Sequence, residues 1–481
     1  MLALIAALPV LLPAQPMMPD LFSHIGRYHV MNHGAESPFL QRYYSFRWQL
    51  IGNLGVDLLM VPLGALLPTE LAARLAVASI PALTVAGIYA VSRAVWGRVQ
   101  APALVALPLA LPHTFVFGFV NFHLGLVLVL LAFAWWVRAG TWRWRWAAAL
   151  PLAGVVWVAH LAAWAVLLVL VAAWELARQR PQRGLAGLVA SGLAVLPLAW
   201  PFLLTLSWRG TIADHHNIAG RHMTKPLLAK ALWFTTLLRG EAQPFDMALA
   251  ALVVIAAVLL LVRRGTGRSF GMVLAALLLF VAFLILPWQV MGSAYADTRL
   301  LPALFIALLA GLAVRERRLA GVVAAAGLML FLVRDAELTN GWWRRGADAE
   351  ADLGVLAAVP RGARIAVIAR PSGNTTWTLT GLDHLASLAI VRREAFVNTQ
   401  WDQPGAQLMR PIYNRDHGYN DSFSVALVQR PNQPGRRLGA ILAGLPHDRF
   451  DFVWSFDAPL AKPWLREVAR GPHGRLYRIT G

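Results

Sequence analysis

The chain has 481 residues, of which 58% are hydrophobic and only 14% charged, and its formal net charge is +19. Soluble globular proteins have about 25% charged residues, so this composition excludes an ordinary soluble enzyme and also a disordered chain. The sequence has no cysteine, which excludes disulfides, iron–sulfur clusters and thiolate-bound zinc. Arginine-rich short loops between apolar segments explain the positive charge without a nucleic-acid partner. We therefore predict a polytopic membrane protein in contact with membrane lipids.

Apolar runs of about 17–25 residues predict membrane-spanning helices. The first run lacks a basic start, so we expect an uncleaved first helix rather than a signal peptide. The stretch 147–177 is too long for one span and must contain a tight hairpin if it holds two. Eleven candidate spans result, at 1–17, 72–92, 101–117, 121–137, 147–160, 161–177, 185–205, 247–263, 270–287, 299–314 and 319–334.

The segment 50–68 decides the predicted topology. It is apolar enough to span, but it contains Asn53, Asp57, three glycines and Pro62. If it stays at the outer face as an interfacial or re-entrant segment, the arginines of the short loops collect on one side, with only Glu175 and Glu316 against them. Such a bias is typical of cytoplasmic loops. We therefore expect a cytoplasmic N-terminus and an extracytoplasmic C-terminal domain, in the inner membrane of a bacterium.

The composition changes after the last apolar run, and we place a domain boundary near residues 334–346. Polar residues and glycine become frequent there, and no later run is long enough to span. The predicted fold is an α-helical polytopic membrane protein of about 11 spans with a C-terminal extracytoplasmic α/β domain. Its domains are a transmembrane domain 1–334, with outer loops 18–71 and 206–246, and a soluble domain 345–481. Within the latter the pattern predicts strands at 364–369, 451–456 and 475–479 and a helix within 374–388.

The first outer loop contains the most specific local pattern. In a helix over 19–30, Asp20, His24 and Arg27 share one face at i, i+4 and i+7. Asp20 could serve as a general base or hold a metal, with His24 as its hydrogen-bond partner, and Arg27 could bind a phosphate. The alternative role of Asp20 is to cap the helix that follows.

Further ionisable groups lie on the same predicted side of the membrane. Ionisable groups at membrane depth usually line cavities or pathways, although each of these could simply lie in an aqueous loop. As a set they favour a shared site that opens to the outer leaflet. The candidates for its walls are Asp57, His113, His123, His160, Asp214, His215, His222 and Asp297.

Two segments offer cations for a phosphate. The loop 206–226 contains Arg221 and Lys225 among acidic and histidine residues that could hold a divalent metal. Neighbouring histidines point apart on most backbones, so anion binding is the preferred interpretation of this loop. Arg299, at the outer mouth of a span, could clamp a lipid phosphate. Its alternative is a local ion pair with Asp297.

The architecture resembles the GT-C superfamily of polytopic glycosyltransferases. The match consists of an apolar first helix, an acidic residue in a long outer loop, about ten further spans and an extracytoplasmic α/β domain. Its local motif is similar to the D-x-x-x-H-x-x-R pattern of bacterial members, here Asp20, His24 and Arg27. The resemblance implies a polyprenyl-phosphate-linked sugar as donor and Asp20 as the catalytic acidic residue. Because the chain lacks paired acidic residues after the first span and a WWDYG-type motif, the resemblance implies a monosaccharide transferase of the arabinosyl- or mannosyl-transferase type, or a degenerate relative.

Two classes of function stay open at this point. The first is an enzyme that moves a sugar to a glycan, lipid or protein acceptor, with Asp20 acting on the acceptor hydroxyl. In this enzyme hypothesis, Arg299 stabilises the departing phosphate with the help of Arg221 or Lys225. The second is a non-catalytic membrane protein, either a transporter of lipid-linked glycans or an assembly scaffold. The enzyme hypothesis predicts that Asp20, His24, Arg221 and Arg299 converge in one outward-facing cavity, with Asp20 and Arg299 apart rather than ion-paired.

Overall fold

The structure is a computed structural model that describes residues 1–139, 142–179, 184–209, 226–291, 293–369, 376–421, 438–456 and 459–480. It is mostly helical, with a C-terminal region that is partly sheet. The helices before residue 200 are α1 Leu2–Ile5, α2 Leu8–Leu11, α3 Pro19–His33, α4 Pro38–Tyr43, α5 Gly55–Leu66, α6 Thr69–Trp96, α7 Ala101–Val105, α8 His113–Phe117, α9 Val120–Arg138, α10 Trp142–Ala159, α11 Leu161–Arg178 and α12 Gly184–Val195.

The later helices are α13 Pro201–Arg209, α14 Pro226–Thr235, α15 Gln243–Val262, α16 Phe270–Ile285, α17 Leu300–Ala310, α18 Arg317–Leu353, α19 Leu382–Leu385, α20 Leu388–Arg393 and α21 Leu438–Ala443. The strands are β1 Tyr44–Phe46, β2 Thr266–Arg268, β3 Leu312–Val314, β4 Arg364–Ile368, β5 Phe396–Val397, β6 Met409–Pro411, β7 Phe452–Ser455, β8 Leu465–Arg470 and β9 Arg475–Ile479.

Among the described residues, five helices are long and apolar enough to cross a membrane, namely α6, α9, α11, α15 and α18 with the short 3-10 turn after it. The bent pair of α12 and α13 would make a sixth. The other predicted spans are helical but shorter or broken. Proline lacks a backbone N–H and ends helices, and in the predicted span 101–117 Pro108 lies in a 3-10 turn between α7 and α8. Helix length alone therefore supports five or six spans, and not eleven.

The segment 50–68, which we placed at the outer face, contains α5. This helix has 12 residues, and at 1.5 Å per residue it is shorter than the hydrocarbon core of a bilayer. Asp57 in its first turn is fully buried, and Pro62 lies inside the helix.

The predicted domain boundary lies inside one continuous helix. Helix α18 runs without interruption for 37 residues, so the apolar half and the C-terminal region are joined by a helix instead of a flexible linker. Its later residues Leu338, Trp342 and Leu353 belong to the same hydrophobic core as the C-terminal strands. The expected independent domain at 345–481 therefore shares its core with the rest of the chain.

The three strands predicted from the C-terminal sequence are confirmed as β4, β7 and β9. They lie in a five-stranded sheet of order β5-β4-β7-β9-β8, in which β4 is parallel to β5 and β7 while β9 is antiparallel to both its neighbours. In the described part of 374–388, the helix is limited to the four residues of α19 and the first residue of α20. Gly381, with φ of +69°, begins α19 and explains why no helix extends into it from residue 376.

Helix α3 is enclosed by the C-terminal region, and this contact forms the site described below. Its residues Leu21 and Phe22 share a core with Ile390 and Phe396. Gly26 allows the close approach, because a Cβ atom there would lie 3.1 Å from the carbonyl oxygen of Ser387. Strand β1 then pairs antiparallel with β6, which fixes the chain after α3 against the same region.

Candidate functional site

A cavity of about 400 Å³ lies where α3 and the turn between α8 and α9 meet the C-terminal region. Four of the residues predicted from the sequence line it, namely Asp20, His24, His160 and Arg299. Three lining residues that the sequence analysis did not single out are Asp383, His384 and Trp401. The cavity thus brings together ionisable side chains from segments that are distant in sequence.

Asp20 is placed in the cavity by the start of α3. Pro19 is the first helical residue, which suits proline because the first N–H of a helix has no partner. Met18 is the N-cap and no side chain caps the helix, so the capping role considered for Asp20 is not realised. Gly118 packs directly on it, since a Cβ atom at Gly118 would lie 2.8 Å from the Cβ of Asp20.

The Asp20 carboxyl group is in an environment that favours its protonated form. Burial raises its pKa well above the usual range, and the negative charge of Asp383 raises it further, while Arg299 lowers it. A carboxylate with a raised pKa takes a proton from a hydroxyl group more readily than an exposed one does. Asp20 is therefore suited to general-base chemistry.

His24 is held between aromatic rings beside Asp20. Its ring lies 6.2 Å from Tyr28 and 5.6 Å from Trp401, and its Nδ1 atom is buried without a hydrogen-bond partner. Burial lowers the pKa of His24 well below its usual value, and the charge of Arg27 lowers it further. The side chain is thus neutral near pH 7, and no hydrogen bond joins it to Asp20 in the described structure.

His384 presents a hydrogen-bond acceptor to the cavity. Its Nδ1 lies 3.0 Å from the carbonyl oxygen of Thr399 and 2.7 Å from the Oγ of Ser23. A carbonyl oxygen can only accept, so the geometry assigns the proton to Nδ1 and the lone pair to Nε2. In the sequence, the only signal for this part of the site is that Asp383 and His384 are adjacent and follow a glycine. No local pattern connects them to Asp20.

Arg299 also lines the cavity, and its hydrogen-bond partners are uncharged. Its Nη2 donates to the Oγ of Ser293 at 2.8 Å and to the carbonyl oxygen of Ala294 at 3.2 Å, and its guanidinium lies 4.4 Å from the ring centroid of Phe119. Its Nε is buried without a partner. Within the described residues it forms no ion pair with Asp20 or with any other carboxylate.

Four other cations, each 5% exposed or less, have a carboxylate partner, which makes the contrast with Arg299 informative. The local pair of Arg299 with Asp297 that we considered does not form, because Asp297 is bound by Lys230. The remaining pairs are Arg27 with Asp57 at 3.0 Å, Arg145 with Glu175 at 3.1 Å and Arg334 with Asp246 at 3.1 Å. An unpaired buried charge is costly, and Arg299 is only 6% exposed. The site around Arg299 is therefore complementary to an anion.

A second cavity, of about 330 Å³, adjoins the first at Arg299. Its walls are mostly aliphatic and come largely from α11, α16 and the start of α17. The residues that line both cavities are Asn53, His160, Ser293, Arg299, Gln403 and Gln407. Arg299 thus lies at the junction of a polar cavity and an apolar one, an arrangement that fits an amphipathic anion.

The structure corrects the role predicted for Arg27. Its side chain is buried away from the cavity, where it donates to Asp57 at 3.0 Å and to the Oε1 of Gln407. Because Asp57 neutralises its charge, Arg27 is not available to a phosphate. It supports the cavity wall indirectly by holding Gln407.

The other predicted wall residues support the lining without belonging to it. Asp57 accepts a hydrogen bond from the lining residue Asn121 at 3.0 Å. His113 packs edge-on against the lining rings of Phe117 and Tyr295. His123 bonds to Thr114 at 2.8 Å, and Asp297, bound by Lys230, is likewise buried behind the cavity. These predictions placed residues close to the site but did not identify their partners.

The remaining predicted residues lie outside the described residues, namely Asp214, His215, Arg221, His222 and Lys225. Within the described residues no group of three or more His, Asp or Glu side chains could hold a metal ion. Comparison of the chain with profiles of known protein families, with curated proteins and with solved structures found no match.

Proposed function

We propose that the protein is a membrane glycosyltransferase that moves a sugar from a polyprenyl-phosphate donor to an acceptor of the cell envelope. The observation on which this depends is Arg299, a buried cation without a carboxylate partner at the junction of a polar and an apolar cavity. A polyprenyl-phosphate sugar has a polar head, an anionic group and an apolar tail in this order. Its phosphate would lie at Arg299, its sugar near Asp20 and its first isoprene units in the apolar cavity.

Embedding in a membrane is part of the proposal. Apolar side chains of α15 and α16 are exposed on the surface, among them Leu259, Leu277 and Ile285. Contact with lipid would remove these side chains from water, which is favourable by about 25 cal/mol per Å² of apolar surface. Such long apolar helices are compatible with a bacterial inner membrane, and the outer-face orientation rests on the arginine-rich loops.

The chemistry would be a single displacement at the anomeric carbon. Asp20 accepts the proton of the acceptor hydroxyl, whose oxygen forms a bond to the anomeric carbon while the bond from this carbon to the phosphate oxygen breaks. The lipid phosphate leaves with the bonding electrons, and Arg299 stabilises its developing charge. The reaction inverts the configuration of the sugar. The aromatic ring of Trp401, with the acceptors on His384 and Asp383, offers a surface for a sugar ring and its hydroxyls.

The test is a comparison of cells that express the full chain or its Asp20→Asn variant, with polyprenyl-phosphate sugars and envelope glycans measured by mass spectrometry. Loss of one glycan and accumulation of one lipid-linked sugar in the variant is the expected result, and the accumulated species identifies the donor. Asp416→Asn, the same change at an exposed position outside both cavities, is the matched control and should behave like the parent. Unchanged glycans in Asp20→Asn at equal protein level would favour the non-catalytic alternative.

A further inference from the structure

His160 begins α11 and caps it with its own side chain. As the N-cap residue, it accepts a hydrogen bond at Nδ1 from the backbone N–H of Ala162, at 3.0 Å. Helix N-termini have N–H groups without partners in the helix, and a side-chain acceptor at the N-cap satisfies one of them. Because a backbone N–H can only donate, the Nδ1 of His160 must have the lone pair.

The other nitrogen of His160 faces a second donor. Its Nε2 lies 3.2 Å from the Nη1 of Arg299, and a guanidinium can only donate. A neutral imidazole has one lone pair and one N–H, so it cannot accept from both Ala162 and Arg299. Because the Nδ1 lone pair accepts from the helix, Nε2 has the proton. The Nε2–H of His160 and the Nη1–H of Arg299 are therefore two donors directed to the same point.

An anion would resolve this conflict, since its oxygens can accept from both groups. The hydroxyl group of Ser293 is a third donor close by. Its Oγ accepts from Arg299 at 2.8 Å, and its own proton can rotate towards an anion. All three residues line both cavities.

We infer that the Nε2–H of His160 and the guanidinium of Arg299 form a paired donor site for one phosphate group, with Ser293 as a third donor. The assignment of this phosphate to a polyprenyl-linked substrate rests on the proposed function, whereas the donor site itself does not. His160 is a binding residue in this arrangement and takes no part in proton transfer.

The variant that isolates the distal donor is His160→Ser. Serine is a good N-cap residue and its hydroxyl can still accept from Ala162, but it has no second donor that reaches the junction. Without ligand, its thermal unfolding temperature should therefore match that of the parent. A hydrogen bond to a charged group contributes enough for its loss to weaken phosphate binding by about tenfold.

Binding is measured on the full purified chain by the ligand-dependent rise in unfolding temperature. The probes are polyprenyl phosphate, the corresponding polyprenol and inorganic phosphate. Polyprenyl phosphate should bind about tenfold more weakly to His160→Ser, while polyprenol, which lacks the anion, should bind both proteins alike. Inorganic phosphate that competes with the lipid, and does so less well in the variant, would identify the phosphate group alone as sufficient. If polyprenyl phosphate binds but inorganic phosphate does not compete with it, the site is specific for the phosphate headgroup of a lipid.

Equal affinity of parent and His160→Ser for polyprenyl phosphate would overturn the inference, and so would failure of the parent to bind either phosphate probe. Nitrogen NMR of histidine-labelled protein gives an independent measurement, because the signals lost in His160→Ser report the tautomer of His160. A proton on Nδ1 would also overturn it. If His160→Ser transfers sugar and binds polyprenyl phosphate as tightly as the parent, only this inference is wrong. If the parent binds the phosphate but transfers no sugar, only the proposed function is wrong.

Discussion

Arg299 and Asp20 are side chains whose surroundings disfavour their charged forms. Both lie in one cavity, and the described structure provides Arg299 with no carboxylate partner and Asp20 with a second carboxyl, Asp383, that raises its pKa. A buried cation without a carboxylate partner and two neighbouring carboxyl groups both reduce the stability of the fold. Such features are unusual unless a ligand or a reaction uses them. At the scale of single residues, the proposed function therefore predicts that stability and activity respond in opposite ways to substitution.

We expect Arg299→Met to abolish sugar transfer with little loss of stability, because the change removes a buried charge that has neutral hydrogen-bond partners but no carboxylate partner. Arg334→Met is the matched comparison, since it leaves the buried carboxylate of Asp246 without its partner and should lower the free energy of unfolding by about 3–5 kcal/mol. Thermal unfolding in detergent and transfer assays on the same preparations measure both effects. An Arg299→Met protein as unstable as Arg334→Met would show that Arg299 has a structural role instead.

The rate of transfer should fall as the pH is lowered through the pKa of Asp20, because only the ionised carboxylate accepts a proton. Burial and Asp383 raise this pKa, so the fall should begin at a higher pH than for an ordinary aspartate near 3.9. Asp383→Asn removes the neighbouring negative charge and should shift the acid limb of kcat/KM to lower pH. A pH profile that does not move in this variant would contradict the coupling between the two carboxyl groups.

The sequence indicated Asp20, His24, His160 and Arg299 because polar groups at the ends of apolar segments are rare and costly. It could not indicate Asp383 or Trp401, since these reach the cavity only through the packing of the C-terminal region around α3. The error at Arg27 has a related cause. Helical spacing correctly placed it one turn beyond His24, but its partner Asp57 lies on another helix, and no local rule connects the two.

At the scale of secondary-structure elements, the position of Asp20 depends on the close contact between α3 and the turn after α8. That turn needs the left-handed conformation of Gly118, whose φ is +115°. Strands of the C-terminal region were predictable because they are short and strongly apolar. The lengths of the helices in the apolar half were not predictable in the same way, because prolines interrupt segments that are hydrophobic enough to span a membrane.

Gly118→Ala should reduce transfer more than it reduces stability. A side chain there adds backbone strain of about 1–3 kcal/mol, and its Cβ atom would lie 2.8 Å from the Cβ of Asp20, which must shift. Gly97→Ala is the matched control, because its φ is +79° but nothing lies within 4 Å of the added atom. It should show a similar loss of unfolding temperature with normal transfer. Equal transfer by both variants would show that the position of Asp20 tolerates this displacement.

At the scale of the whole molecule, the cavity belongs to both halves of the chain. Asp20 and Arg299 come from the apolar half, whereas Asp383, His384 and Trp401 come from the C-terminal region. The two halves also share a hydrophobic core and a continuous helix, α18. Under the proposed function, the side of the membrane on which the C-terminal region lies therefore decides which leaflet supplies the substrate.

The last prediction concerns this orientation. A reporter fused after Arg98 or Arg318 should be cytoplasmic, because these arginines belong to loops with a strong positive bias, and one fused at the end of the chain should be extracytoplasmic. The fusion after Arg98 tests the arginine rule together with the placement of α5 at the outer face, and the fusion at the end of the chain tests the number of spans that follow Arg98. If Arg98 is extracytoplasmic while the N-terminus is cytoplasmic, α5 is part of a true crossing. If Arg98 and the C-terminus lie on the same side, the number of spans between them is even and differs from the nine predicted. If the C-terminus is cytoplasmic, the cavity opens to the cytoplasm, because Asp383, His384 and Trp401 form its wall, and a donor in the outer leaflet could not reach Arg299.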